Sequence, residues 1–208
     1  GRPDFSRAWD LRLDSETILL EPLPKEAAVS LVEALSEQLP AEAREQIVQR
    51  AEGNPFFAEE LVQLARDRST SNIPDSVQAV LAARIDLLGD AEKAALQAAA
   101  VIGRAFWTGP VYELIGEHVP DLAALEGRDF IRRRPASSLE GEVEYVFKHA
   151  LTREVAYNGL TKARRARLHA DFAVWLEGVE GEHAPLLAYH YAEAVRPEDV
   201  DVAWPAGG

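Results

Sequence analysis

Cysteine and methionine are both absent from the 208 residues. Without cysteine the chain has no disulfide framework and no thiolate to hold a metal, a usage that fits a cytoplasmic protein. Without methionine it has no initiator, and with Gly1-Arg2-Pro3 in front it reads as a piece of a longer protein. No run approaches the ~20 apolar residues that cross a bilayer, so no membrane partner is expected. Gly1 to Leu20 carries charge throughout and lacks the apolar core of a signal peptide. Excess positive charge is missing as well: at a net −13, the chain has no broad cationic face for gripping nucleic-acid phosphates.

What is present is a globular composition, 47% hydrophobic, long enough for one large or two small domains. The helical periodicity is organised around Gly53-Asn54-Pro55-Phe56-Phe57-Ala58-Glu59-Glu60. Residues 42 to 52 place Ala43, Ile47, Val48 and Ala51 on one helical face. After the turn, Phe56, Phe57, Ala58, Leu61, Val62, Leu64 and Ala65 continue at helical spacing about a new axis. Gly53 suits the left-handed position that closes a helix. Asn54 suits the next cap, and Pro55 the first turn, where its missing N–H costs nothing. A helix start of this kind either contacts an anion or nucleotide through its free N–H groups, or simply joins two helices.

Upstream, Leu11 to Leu13 and Thr17 to Leu20 read as extended pieces, the last edge of a preceding sheet. Lys25 to Leu39 reads as a helix ended by Pro40. Ser69 to Asn72 is a polar linker. Beyond it, Val77 to Leu88, Ala91 to Ile102, Val111 to Gly116 and Leu122 to Glu126 read as helices, with Phe106-Trp107 as core bulk. Phe130 to Arg134 and Val143 to Phe147 read as two strands around a turn-rich segment. Helices followed by such a hairpin give a winged-helix order, with the hairpin as wing. His149 to Leu160, Lys162 to Glu177 and Pro185 to Ala194 return to helix and open an α-solenoid-like arm. The fold class expected is mainly α, in four parts: 1–23 as the end of a truncated core, 24–71 as a helical lid, 72–150 as a winged helix, and 151–208 as the start of a TPR-like arm.

Arg2-Pro3-Asp4-Phe5 with Trp9, the Gly53 to Leu61 segment, Ile73-Pro74-Asp75-Ser76-Val77 with Arg84-Ile85-Asp86, Ala99 to Gly103, and Phe147-Lys148-His149-Ala150-Leu151 with Glu154 to Tyr157 follow one another in order. Together they resemble the signal-transducing nucleotide-switch (STAND) P-loop ATPases. The likeness is to the bacterial branch found behind class III adenylate or guanylate cyclase domains and in large transcriptional activators. The resemblance implies that Pro55 packs near the adenine of ATP or ADP, with Gly53 shaping the turn. It implies that His149 touches the β-phosphate of ADP and holds a switch closed, and it puts Arg2 where a phosphate-sensing arginine falls. Ala150 departs from the aspartate often found there, which removes a helix-capping group. The Gly-x-x-x-x-Gly-Lys-Ser/Thr loop and the acidic magnesium strand are absent, and without them nothing holds Mg²⁺ or polarises the γ-phosphate. The resemblance therefore implies a nucleotide site shared with an upstream P-loop core, no catalysis or cofactor for this piece alone, and a fused cyclase or DNA-binding output.

Other readings stay open. His149 also suits a packed or capping histidine at a helix start. Lys162, Arg164, Arg165 and Arg167 suit a solvated face, and Arg132-Arg133-Arg134 suit either a solvated wing or contact with DNA phosphates. Glu59 and Glu60, being adjacent, point about 100° apart on a helix and cannot act as a catalytic pair. His183 and His190 lack the spacing of a metal pair, and no metal is assigned. A DNA-binding winged helix and a ligand-free interaction scaffold are the alternatives to the nucleotide switch.

Overall fold

The structure, a computed structural model, describes residues 20–67, 74–116, 121–179, 181 and 183–195. Arg2, the Leu11 to Leu13 strand, most of the Thr17 to Leu20 piece, the Ser69 to Asn72 linker and the tail after Val195 lie outside the described residues.

The described chain is mainly helical with one small sheet. Its elements are α1 (Lys25–Leu35), α2 (Ala41–Ala51), α3 (Pro55–Asp67), α4 (Val77–Asp86), α5 (Asp90–Ile102), β1 (Ala105–Trp107), α6 (Thr108–Ile115), α7 (Leu122–Gly127), β2 (Ile131–Arg133), β3 (Glu144–Phe147), α8 (Ala150–Asn158), α9 (Lys162–Glu177) and α10 (Ala184–Ala194). The strands form an antiparallel sheet in the order β1-β3-β2. Phe106 stands opposite Tyr145, and Arg132 opposite Val146.

Two differences from the sequence expectation have local causes. The first helix stops at Leu35 rather than Leu39. There the Ser36 hydroxyl donates back to the Val32 carbonyl, and Arg66 takes the Leu35 carbonyl. Phe106 and Trp107 are not only core bulk: with Ala105 they make a third strand, and the Phe106 ring is fully buried.

Two apolar clusters result. In the first, α1, α2 and α3 close over Val32, Ile47, Phe57 and Leu61, joined by Val80 of α4. The second is centred on α5, whose Ala95, Leu96 and Ala98 to Ile102 are all buried among α6, α7, the sheet, α8 and α9. Burying a side chain the size of Leu96 contributes about 1.5–3 kcal/mol. α4 belongs to both clusters, giving Val80 to one and Ile85 to the other. The second cluster runs on past residue 150 through Ala156, Leu168 and Phe172. Among the described residues no helix is long and apolar enough to cross a membrane.

Candidate functional site where the third helix meets the hairpin

The turn before α3 is tightly built. Glu52 and Gly53 are consecutive left-handed residues, at φ 48° and 76°. Gly53 is pressed so close to the preceding loop that a Cβ there would lie 2.6 Å from the Leu23 carbonyl oxygen. Leu23 N–H donates to the Gly53 carbonyl at 2.8 Å, tying that loop to the turn. The Asn54 side chain then accepts the Phe57 N–H at 3.1 Å, and Pro55 opens α3 with its ring exposed. Asn54 thus satisfies with its own oxygen one of the N–H groups that an anion at this helix end would use.

From this turn, α3 sends Phe57, Ala58 and Leu61 into the first cluster. Its other side carries Phe56 and Glu59, one helical turn apart and so on one face. The Phe56 ring lies against the His149 imidazole, with centroids 4.2 Å apart and planes tilted by 39°. His149 is the residue immediately before α8, reached directly from β3 through Lys148. The structure therefore brings together the Gly53-Asn54-Pro55 turn and His149, which are far apart in the chain.

The adjacent carboxylates Glu59 and Glu60 take different partners. Glu60 is 2% exposed and pairs with Arg84, itself 1% exposed. Arg84 also donates to the Arg128 carbonyl at 2.5 Å and lies over the Phe130 ring at 4.5 Å. Burial holds the Glu60 carboxyl above its ordinary value, with the Arg84 guanidinium pulling against it. Glu59 accepts from Lys148 Nζ at 2.8 Å. Lys148 donates equally to Asp129, a residue held at φ 67°. Burial lowers the Lys148 ammonium, but its hydrogen bonds to Asp129 and Glu59 outweigh that and hold it above the usual lysine range.

His149 stands at the edge of this bridge, Nε2 being 3.8 Å from the second Glu59 oxygen. That nitrogen is buried with no hydrogen-bond partner. Burial, and then the Lys148 charge, hold the imidazole below its ordinary value, while Glu59 and Asp129 pull it up. The ring is accordingly neutral at physiological pH, with Nε2 open to a donor or an acceptor according to tautomer. Glu59 and Asp129 balance Lys148 and Arg132, so a proton or ligand at His149 decides the local sign of charge. Nothing at this place forms a nucleophile with an oriented base. Among the described residues no group of three His, Cys, Asp or Glu is placed to hold a metal.

Sequence reading missed Phe56, Glu59, Asp129 and Lys148 as parts of one place. The usable signals were the i, i+3 spacing of Phe56 and Glu59 and the adjacency of Lys148 to His149. The basic clusters divide. Arg132, Arg133 and Arg134 are exposed, but Arg134 donates to Glu144 at 2.5 Å. Lys162 and Arg164 are exposed, Arg167 meets Asp171 at 3.6 Å, and Arg165 turns inward over the Tyr157 ring at 4.4 Å. No protein-family model matches the chain, and no curated protein matches it.

Proposed function

We propose that this chain is the lid, winged-helix and early arm portion of a cytoplasmic signalling switch driven by ATP or ADP, of the kind the sequence resembles. The observation that carries the reading is the contact of Phe56 with His149 at 4.2 Å. It joins the turn proposed to lie near an adenine to the histidine proposed to meet a diphosphate, beside an imidazole nitrogen that is buried and without a partner. The sequence of elements α5-β1-α6-α7-β2-β3 with the sheet order β1-β3-β2 supports the winged-helix assignment. In this reading an upstream P-loop core supplies the phosphate cradle and Mg²⁺, and this chain supplies no catalytic group. ADP favours the arrangement in which His149 reaches it, and the resulting population shift passes to a cyclase or DNA-binding output. The test is ADP affinity of the protein with its nucleotide core attached, comparing His149→Ala with the parent. A loss of about tenfold is expected for one charge-assisted contact; equal affinity overturns the reading.

A second reading is a wing that touches DNA, favoured by the exposure of Arg132 and Arg133 on the hairpin. It requires duplex binding that weakens with salt and is lost on neutralising both residues.

A further inference from the structure

Where α10 lies on α9, two histidines face each other in full burial. His169 and His190 are each 0% exposed, and their Nδ1 atoms are 2.8 Å apart, a hydrogen-bond separation. Nε2 of His169 lies 2.9 Å from the Tyr157 hydroxyl on α8. Nε2 of His190 is buried with no hydrogen-bond partner, beside the Phe172 ring at 4.6 Å between centroids. A bond between two Nδ1 atoms needs one N–H and one lone pair. Two neutral rings satisfy it in either tautomeric sense, and so does one neutral ring with one charged ring. Two charged rings do not: both Nδ1 atoms then carry hydrogen, and N–H faces N–H between like charges cut off from water.

The neighbours make even one charge costly. From α8 come Tyr157 and Arg153, whose charge acts on His190. From α9 comes Arg165, over the Tyr157 ring. α10 itself brings Tyr189, which meets both imidazoles edge-on, and Glu193, 7% exposed and one turn beyond His190. α5 carries only apolar residues and Gln97 from Ala94 to Ile102, and α6 brings Tyr112 and the exposed Glu113. Burial, and then Arg153, hold His190 down to about 4.

We infer that the His169–His190 contact is an acid-sensitive clasp: uncharged, it fastens α10 to α9, and charging the second ring releases α10 while the cluster around α5 stays folded. α10 lies at the edge of the described structure, with Tyr189 45% and Tyr191 38% exposed, and besides the histidine contact it is tied to α9 by the Tyr191 hydroxyl, which donates to Glu177 at 2.8 Å. The segment of α5 that packs against α9 has no titrating group, so acid has no comparable hold on it. The inference is independent of the nucleotide reading, which concerns residues on other elements.

Amide hydrogen exchange on the whole chain, corrected for its intrinsic pH dependence, tests this between about pH 7 and about pH 4. The α10 amides are expected to lose protection at least roughly tenfold more than those of α5, and His190→Gln, which cannot titrate, is expected to abolish the difference. Uniform loss across α5 and α10 overturns the proposal, as does selective release of α10 that survives in His190→Gln. If that variant does not fold, ring-nitrogen NMR of the unaltered chain decides. Charging of the second of the two rings, His169 or His190, at the pH of α10 release supports the clasp; both rings charged with α10 still protected overturns it.

Discussion

Two seams in this molecule are each built around a histidine, and they solve the same problem in opposite ways. At the seam of α3 with the hairpin and α8, charges are buried in opposed pairs: Glu60 with Arg84, and Glu59 and Asp129 with Lys148. His149 sits 30% exposed at its edge, with carboxylates facing it. At the seam of α9 with α10, the central groups are two imidazoles at 0% exposure, with the Arg153 charge acting on His190 and Glu193 one turn beyond it. Burial depresses both imidazoles. A neighbouring cation adds to it in both places, Lys148 at His149 and Arg153 at His190, but only at His149 do carboxylates, Glu59 and Asp129, pull the other way. The first seam can admit charge without coming apart; the second tolerates one charged ring at a cost and cannot hold two. Burial sets the downward direction at both histidines, and the neighbouring charges add to it or offset it.

The comparison can be broken hardest at its most deeply buried ion pair. Arg84→Ala leaves Glu60 buried without its partner, and urea unfolding should show a loss of about 3–5 kcal/mol. Arg84→Met combined with Glu60→Leu should recover most of it, because a well-packed apolar pair removes both desolvation penalties.

The next largest effect comes from acid on the neutral seam. The folded value of His190, about 4, lies below its ordinary 6.5, so the uncharged form is favoured by folding. That contribution is complete above the ordinary value and is lost as pH falls through this window. It amounts to about 3 kcal/mol at 1.36 kcal/mol per pH unit. Stability measured against pH should fall in this window for the parent and stay flat there for His190→Gln.

A smaller loss tests the turn that aims α3. Gly53→Ala places a Cβ at φ 76° against the Leu23 carbonyl, which should cost about 1–3 kcal/mol in thermal or urea unfolding. The smallest effect sharpens the charged seam. Lys148→Met removes a cation that depresses His149 and leaves Glu59 and Asp129 unopposed. The stability change should be about 1 kcal/mol, but the His149 titration should move upward. No move would mean that burial alone sets it.

Much of this arrangement was legible in the sequence. The Gly53-Asn54-Pro55 turn follows from the conformations those residues accept, and α9 runs over Lys162–Glu177 as its periodicity requires. The third strand was not legible, since Ala105-Phe106-Trp107 is too short to show alternation. Its extended form comes from pairing with β3, a partner distant in the chain. The end of α1 was misplaced because Leu39 continues the apolar spacing of Leu35, while the Ser36 hydroxyl and Arg66 close the helix early. At the candidate site, Pro55, Gly53 and His149 could be named one by one from motif resemblance. The Lys148 bridge could not, because its carboxylates come from α3 and from the bend before β2. The histidine pair was hidden for the same reason: His190 was weighed against His183, just before its own helix, and its partner is on α9, 21 residues earlier.

The most direct measurement is the ring-nitrogen NMR spectrum of the histidines, with and without saturating ADP, in a protein extended upstream to include the proposed nucleotide core. A diphosphate held at the joint between Phe56 and His149 should shift the His149 nitrogens and fix its tautomer, leaving His169 and His190 where they were. Bound ADP with His149 unmoved would contradict the nucleotide reading outright.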